Sequence, residues 1–567
     1  MKIFCKKLKE GSFTVEEKKY SLEWMLEKTH LGWIVSGRVK GKPGRLEVVR
    51  FDIPKRLLIN NWQSWGPCKP VDGDFRLSGI KDLVKENVET LNIFSPVPDL
   101  LEGNILSDYF IAWDGGLLGF LSSEIAHPFF VTEGTEMVGY LDFFETTFED
   151  WVPLEKLLIL EGSPVELLLE IYADSVKKEN EPEIPVWNPV GWCSWYQYFG
   201  DLKWSDVEKN LNLAREFPFE VFQIDDAYEK DIGDWLETKE GFPSLEHMAE
   251  SIRERGYKAG IWLAPFSVSE TSSVFREHRD WLVKENGVPK VAYKNWGKKI
   301  YALDLTNEDV LSWLTDLFRN LKKAGFDYFK IDFLFAGAIP GVRKKNVTPI
   351  QAYREGMKII RKVLGSSFIL GCGAPLLPSV GFVDGMRIGE DTAPFWNFDM
   401  PDIGFPNAYH ALRNALTRSF MHRKFWLNDP DCLILRHEDV NLTLDMRKMY
   451  AYVSGALDNM LIESDDLSKV DSEGKGILLE SISMRGGKSK VRGVLDGERF
   501  IIETEGSNTG NLKIFANLSR DVWEVEGYKV PAASSLIFKD ERRKLTRRAE
   551  QRADGRLFHY YQEGDES

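Results

Sequence analysis

Between residues 190 and 466, short apolar runs alternate with amphipathic ones, and this alternation limits the fold more than any other feature of the chain. The apolar runs are "VGWCSWYQYF" (190–199), "EVFQIDDAY" (220–228), "KAGIWLAPF" (258–266) and "YFKIDFLF" (328–335). They continue with "SFILGCGAP" (367–375), "VDGMRIGEDTA" (383–393), "KFWLNDPDCLI" (424–434) and "NMLIESDD" (459–466). Each has strand length, and helix-period segments such as "SDVEKNLNLAREF" (205–217) and "NEDVLSWLTDLFRNLKKAG" (307–325) lie between most of them. Strands that alternate with helices predict a parallel sheet, and eight of them predict a closed (β/α)8 TIM barrel in the α/β class.

The flanks have a different texture. "GRLEVVRFDI" (44–53) and "FFVTEGTEMVGYLDFFETTF" (129–148) alternate apolar with polar residues, as the strands of a β-sandwich do. Residues 163–179 switch to a helical period that opens with Ser163 as the expected N-cap, and the Pro-rich "NEPEIPVWNP" (180–189) marks a boundary. Short β runs return after residue 480. The expected division is an N-terminal β-sandwich over 1–180, a catalytic barrel over 181–480 and a small C-terminal antiparallel β domain over 481–567. "RRKLTRRAEQRADGR" (542–556) reads as a solvated helix or loop.

Composition excludes several classes of partner. A formal charge of −15 argues against nucleic acid, which needs clustered Lys and Arg. No apolar run reaches membrane-spanning length, and the N-terminus carries no apolar signal region. Five scattered cysteines form no C-x-x-C pair and eight histidines no H-x-x-x-H pattern, so a reducing, cytoplasmic setting without a metal site or cofactor is expected. Aromatic residues make up 13% of the chain, with 18 Trp, which suits a large core and sugar faces equally.

Polar residues recur where a barrel places its active site, at the C-terminal ends of the strands. Asp225 and Asp226 end the second apolar run, Trp262 lies in the third, and Lys330 and Asp332 lie in the fourth. Cys372 follows on the fifth, Arg387 and Asp391 on the sixth, Asp429 and Asp431 on the seventh, Asp465 and Asp466 on the eighth. Such a mouth serves either a divalent cation or glycoside hydrolysis. Lys330, two residues before Asp332, favours the second, because an ammonium keeps a neighbouring carboxylate ionised and competes with a metal. The adjacent Asp225 and Asp226 can both reach one ligand only where the strand has ended.

"GWCSWYQYF", "FQIDDAY", "YFKIDF", "GCGAP" and "MRIGEDTAPFW", with "NNWQSWGP" (60–67) and "WLNDPDCL" (426–433), together resemble the α-galactosidases of glycoside hydrolase family 36. The resemblance is nearest to compact bacterial enzymes of hyperthermophiles and covers most of the chain. It implies a retaining hydrolase that acts on small oligosaccharides such as melibiose and raffinose. Asp332 would be the nucleophile and Asp391 the general acid/base, with Glu390 a rival for the second role. Asp225 and Asp226 would accept from galactose hydroxyls, and Lys330 and Arg387 would donate to them. Trp195, Tyr196 and Trp262 would shape the pocket, Cys372 would touch its floor, and Trp65 would close it from above. The alternatives are a raffinose-synthase-like transglycosylase, a non-catalytic carbohydrate-binding protein and a metal-dependent barrel lyase.

Overall fold

Eight parallel strands form the central sheet: Val190–Cys193, Val221–Ile224, Lys258–Leu263, Tyr328–Ile331, Phe368–Gly371, Gly385–Arg387, Leu427–Asp429 and Leu461–Glu463. They lie in chain order, with the last strand beside the first. The remaining seam is bridged by Met460 N–H on Asn428 O at 3.0 Å and by pairing of Leu433 with Glu463, so the barrel is nearly closed. The computed structural model describes residues 1–3, 6–7, 10–80, 82, 91–539, 547–551 and 557–561.

Every residue of these strands except Lys258 is buried. Helices cover the outer face, which is why the strands read as continuous apolar runs rather than alternating ones. Glu308–Ala324 shows how such a helix is specified. Asn307 caps its start, Val310, Leu314, Leu317, Phe318 and Leu321 make the buried stripe, and Gly325 ends it at φ 115°.

The strands are shorter than the apolar runs that predicted them. The fourth stops at Ile331, Phe333 takes a left-handed φ of 50°, and a 3-10 turn over Leu334–Ala338 follows. The second stops at Ile224 and the sixth at Arg387. Asp225, Asp226, Asp332 and Asp391 therefore sit where the chain leaves the sheet, and a buried aromatic or aliphatic residue does not by itself extend a strand.

Two antiparallel sheets of six and nine strands precede the barrel, as a sandwich requires. Helix Val165–Asn180 packs on them through Tyr172, whose hydroxyl donates to Phe120 O at 2.8 Å. Its N-cap is Pro164 without a side-chain cap, so Ser163 does not play that part. After the barrel, Lys488–Arg492, Arg499–Ser507, Gly510–Asn517 and Ser534–Lys539 form a four-stranded antiparallel sheet. Within the basic stretch, Arg547–Gln551 is a strand paired with Leu557–Tyr561 rather than a helix or loop; the rest of 542–556 lies outside the described residues. Among the described residues no helix is long and apolar enough to cross a membrane.

Two excursions reach the barrel mouth. The first is the loop after strand Arg56–Asn60, where Ser64 N–H donates to Ala374 O at 3.0 Å and Leu376 N–H to Trp62 O at 2.9 Å. The second is a hairpin inserted before the fourth barrel strand, Val291–Asn295 with Lys298–Ala302, whose turn carries Trp296 at φ 53°.

Candidate active site

At the strand exits lies a cleft of about 410 Å³, within the size range of small-ligand sites. Asp225, Asp226, Lys330, Asp332 and Asp391 line it, as do Trp65, Trp195 and Trp262. Tyr196, Cys372 and Arg387 stand one layer behind this wall. Cys372 Sγ accepts from Trp65 Nε1 at 3.3 Å and from Arg387 Nη1 at 3.7 Å, and the Arg387 side chain is only 1% exposed.

The pairing of Lys330 differs from the sequence expectation. Its ammonium lies 2.8 Å from Asp225 Oδ2, which also accepts from Gln223 Nε2 at 2.6 Å and the Cys193 thiol at 3.3 Å. Burial alone would lower the Lys330 value, but the surrounding negative groups, Asp225 foremost, hold it well above the ordinary lysine range. Asp332 instead accepts from Trp262 Nε1 at 3.0 Å and from Phe333 N–H at 2.7 Å. Burial pushes the Asp332 carboxyl above its usual value, and Lys330 and Trp262 offset this only in part while Asp391 adds to it. Desolvation outweighs the lysine, so the expectation that Lys330 simply lowers Asp332 is corrected.

Asp226 points to the inserted hairpin, where Trp296 Nε1 donates to its Oδ2 at 2.7 Å. Burial and the neighbouring Asp225 raise its carboxyl, against the pull of Glu229 and Trp296. Both aspartates reach the cleft because neither belongs to the strand that ends at Ile224.

The two candidates at "GED" part company. Asp391 is on the cleft wall and accepts from Arg387 Nη2 at 3.0 Å. Glu390 is fully buried and accepts from Asn414 Nδ2, beside His410 and Arg413. Burial pushes its carboxyl up to about 8 despite Arg413. Glu390, Asp402 and His410 approach one another closely enough to hold a cation. However, Asp402 is already held by Arg413 at 2.6 Å and Lys69 at 2.8 Å, and two fixed cations oppose a third.

Several cleft residues carried no signal in the barrel pattern. Tyr293 and Trp296 come from the hairpin, Phe333 from the left-handed residue after Asp332, and Ile403 and Phe405 from the loop after the sixth strand. Only "NWG" at 295–297, a turn between two alternating runs, could have marked the hairpin.

A nearly closed (β/α)8 barrel whose strand exits carry carboxylates, walled by tryptophans from outside the barrel, defines a carbohydrate-active barrel protein. The family model for the α-galactosidase N-terminal domain matches residues 25–161, and the melibiase model matches residues 184–352. The structure is similar to TtGalA, an α-galactosidase from Thermus thermophilus solved with stachyose. The two are 28% identical, with a TM-score of 0.69 over 84% of this chain and 100% of that one. Among curated proteins, α-galactosidase AgaA of Geobacillus stearothermophilus is 31% identical over 179 residues, 28% of this chain and 24% of that protein. α-Xylosidase XylQ of Lactiplantibacillus pentosus is 32% identical over 157 residues, 26% of this chain and 20% of that protein. The matched stretch spans about a quarter of the length of the first curated relatives. The chain belongs to glycoside hydrolase family 36, the melibiase family of α-galactosidases.

Proposed function

We propose that the protein is an α-galactosidase that removes terminal non-reducing α-D-galactose from oligosaccharides such as melibiose and raffinose, with retention of configuration. Asp332 attacks the anomeric carbon while Asp391 protonates the departing glycosidic oxygen, leaving a galactosyl ester on Asp332 and a free alcohol. Asp391 then takes a proton from water, whose oxygen attacks the anomeric carbon and releases the Asp332 carboxylate.

The observation that carries this reading is that Asp332 and Asp391 share one cleft while Glu390 faces a separate buried network. TtGalA, which this chain matches over that enzyme's whole length, has been solved with stachyose, and in a second structure with p-nitrophenyl α-D-galactopyranoside. Asp225 and Asp226 support galactose over xylose, the sugar of the XylQ relative. A pentose lacks the hydroxymethyl group and so forgoes the hydrogen bond that its hydroxyl would donate to these carboxylates. A panel of nitrophenyl glycosides, with the first-formed anomer read by NMR, tests the reading. The α-galactoside should turn over far faster than α-xyloside or α-glucoside and release α-galactose first. Comparable rates, or β-galactose first, overturn it.

A further inference from the structure

Arg387 faces two carboxylates at once. Its Nη2 is 3.0 Å from Asp391 Oδ1 and 2.8 Å from Asp431 Oδ2. Asp391 is partly open to the cleft, whereas the Asp431 side chain is 2% exposed. Asp431 has a left-handed φ of 83°, a conformation that Asp and Asn tolerate better than most residues. The surroundings hold it there. Its N–H donates to Asp429 Oδ1 at 3.0 Å, Cys432 N–H donates to its Oδ1 at 2.7 Å, and its Oδ2 accepts from Thr392 N–H at 2.7 Å and from the Tyr196 hydroxyl.

A guanidinium at 3.0 Å favours the ionised form of a carboxyl group, yet a general acid must arrive protonated. Something has to take up the arginine's charge. We propose that Asp431 is a positioning residue that claims Arg387 from behind the cleft, so that Asp391 can keep its proton and donate it to the leaving oxygen. The inference rests on the acid/base role proposed for Asp391. Asp429 faces both Arg387 and Asp431 from the seventh strand, and Cys432 lies beside Asp431; four further groups bear on the trio. Asp332 approaches Asp391 from the fourth strand exit and Cys372 from the fifth, while Tyr196 lies near both Asp391 and Asp431. Tyr450, on helix Leu444–Ala456, faces Asp431, Asp429 and Arg387. Of the two carboxylates behind Arg387, Asp431 makes the ion-pair contact at 2.8 Å, and Asp429 acts on the arginine from farther back.

The test is Asp431→Asn, which keeps the shape and suits the left-handed backbone but removes the charge. Arg387 then keeps Asp391 as its contacting carboxylate, with Asp429 unchanged behind it. The alkaline limb of kcat/KM should move to lower pH by about one unit. Hydrolysis of melibiose should fall about tenfold more than that of 2,4-dinitrophenyl α-galactoside, whose leaving group needs no proton. An unmoved limb with equal losses on both substrates makes Asp431 a structural residue and overturns the proposal. Tyr196→Phe carries the test if the asparagine variant does not fold. Without the tyrosine hydroxyl, Asp431 binds Arg387 more fully and the limb should rise; an unmoved or lowered limb overturns the proposal. Asp391→Ala, run in parallel, separates the two claims. Equal losses on both substrates there remove the acid role of Asp391 itself. Losses confined to melibiose there, with no shift in Asp431→Asn, overturn only the inference about Asp431.

Discussion

Lys330 and Asp332 leave the same stretch of chain two residues apart, and burial decides what each becomes. Asp332 ends with its carboxyl raised above the ordinary value, burial being the largest cause. A nucleophile must be ionised, so the acid limb of kcat/KM should lie above the range of an exposed aspartate. The stability sign follows from the same shift. A raised carboxyl stabilises the fold in full below its unfolded value and loses that contribution as pH rises through the folded one. Asp332→Asn should therefore abolish turnover yet raise Tm at about pH 7, with the gain fading toward about pH 4. An unchanged Tm across that window would show that the buried charge is not a strain on the fold. Glu390 gives a second case, raised to about 8. Glu390→Gln preserves a neutral hydrogen-bonding group, so activity near pH 6 should stay within about twofold, while Asp391→Asn should cost melibiose hydrolysis about a hundredfold or more. Wild type should also lose stability as pH climbs through about 8, and the glutamine variant should not. If Glu390→Gln is inactive and Asp391→Asn is not, the roles are reversed.

At the level of elements, existence was easier to read than extent. The eight barrel strands follow from apolar runs between amphipathic helices, because helices on the outer face leave no polar side to a strand. Their ends were hidden, since Phe333 and Phe335 are as apolar as the strand before them while the backbone has already turned at φ 50°. Partners were hidden too. Nothing local links Lys330 to Asp225, 105 positions earlier, yet the closed sheet sets them 2.8 Å apart. The inserted hairpin was the largest omission, because its strands belong to a separate three-stranded sheet that the barrel pattern does not require. It supplies Trp296 to Asp226 at 2.7 Å. Trp296→Phe keeps the ring and removes the donor, and a hydrogen bond to a charged group is worth about 1.5–3 kcal/mol. The KM for galactosides should rise by about tenfold or more with little change in Tm. A falling Tm with unchanged KM would confine Trp296 to holding the hairpin.

Across the whole molecule, the cleft is completed by a segment that precedes the barrel by more than a hundred residues. The resemblance that "NNWQSWGP" helps to carry puts Trp65 over the pocket but does not say what holds it there. Gly373, at φ 50°, is one part of the answer. A Cβ there would lie 2.9 Å from Trp65 Cζ2, so only glycine lets the indole come down onto Cys372. Arg418 is the other part. It is fully buried, burial lowers its value below the ordinary arginine range, and among the described residues no carboxylate forms an ion pair with it. Its guanidinium donates instead to Asn60 Oδ1 at 2.9 Å, Ser64 O at 3.0 Å and Ile388 O at 2.8 Å, tying the loop to the chain just before Asp391. Sequence gave no hint of this, because the three acceptors are two backbone carbonyls and one amide scattered along the chain. Arg418→Met keeps most of the apolar stem and strands those acceptors, at about 1–3 kcal/mol for each that water cannot reach. Trp65→Ala removes only the platform. Trp65→Ala should raise KM with little loss of Tm, and Arg418→Met should raise KM and lower Tm together. The decisive comparison is Arg418→Met by calorimetry and kinetics on one preparation. A lowered Tm with wild-type KM would mean that the N-terminal sheets brace the barrel without shaping its cleft.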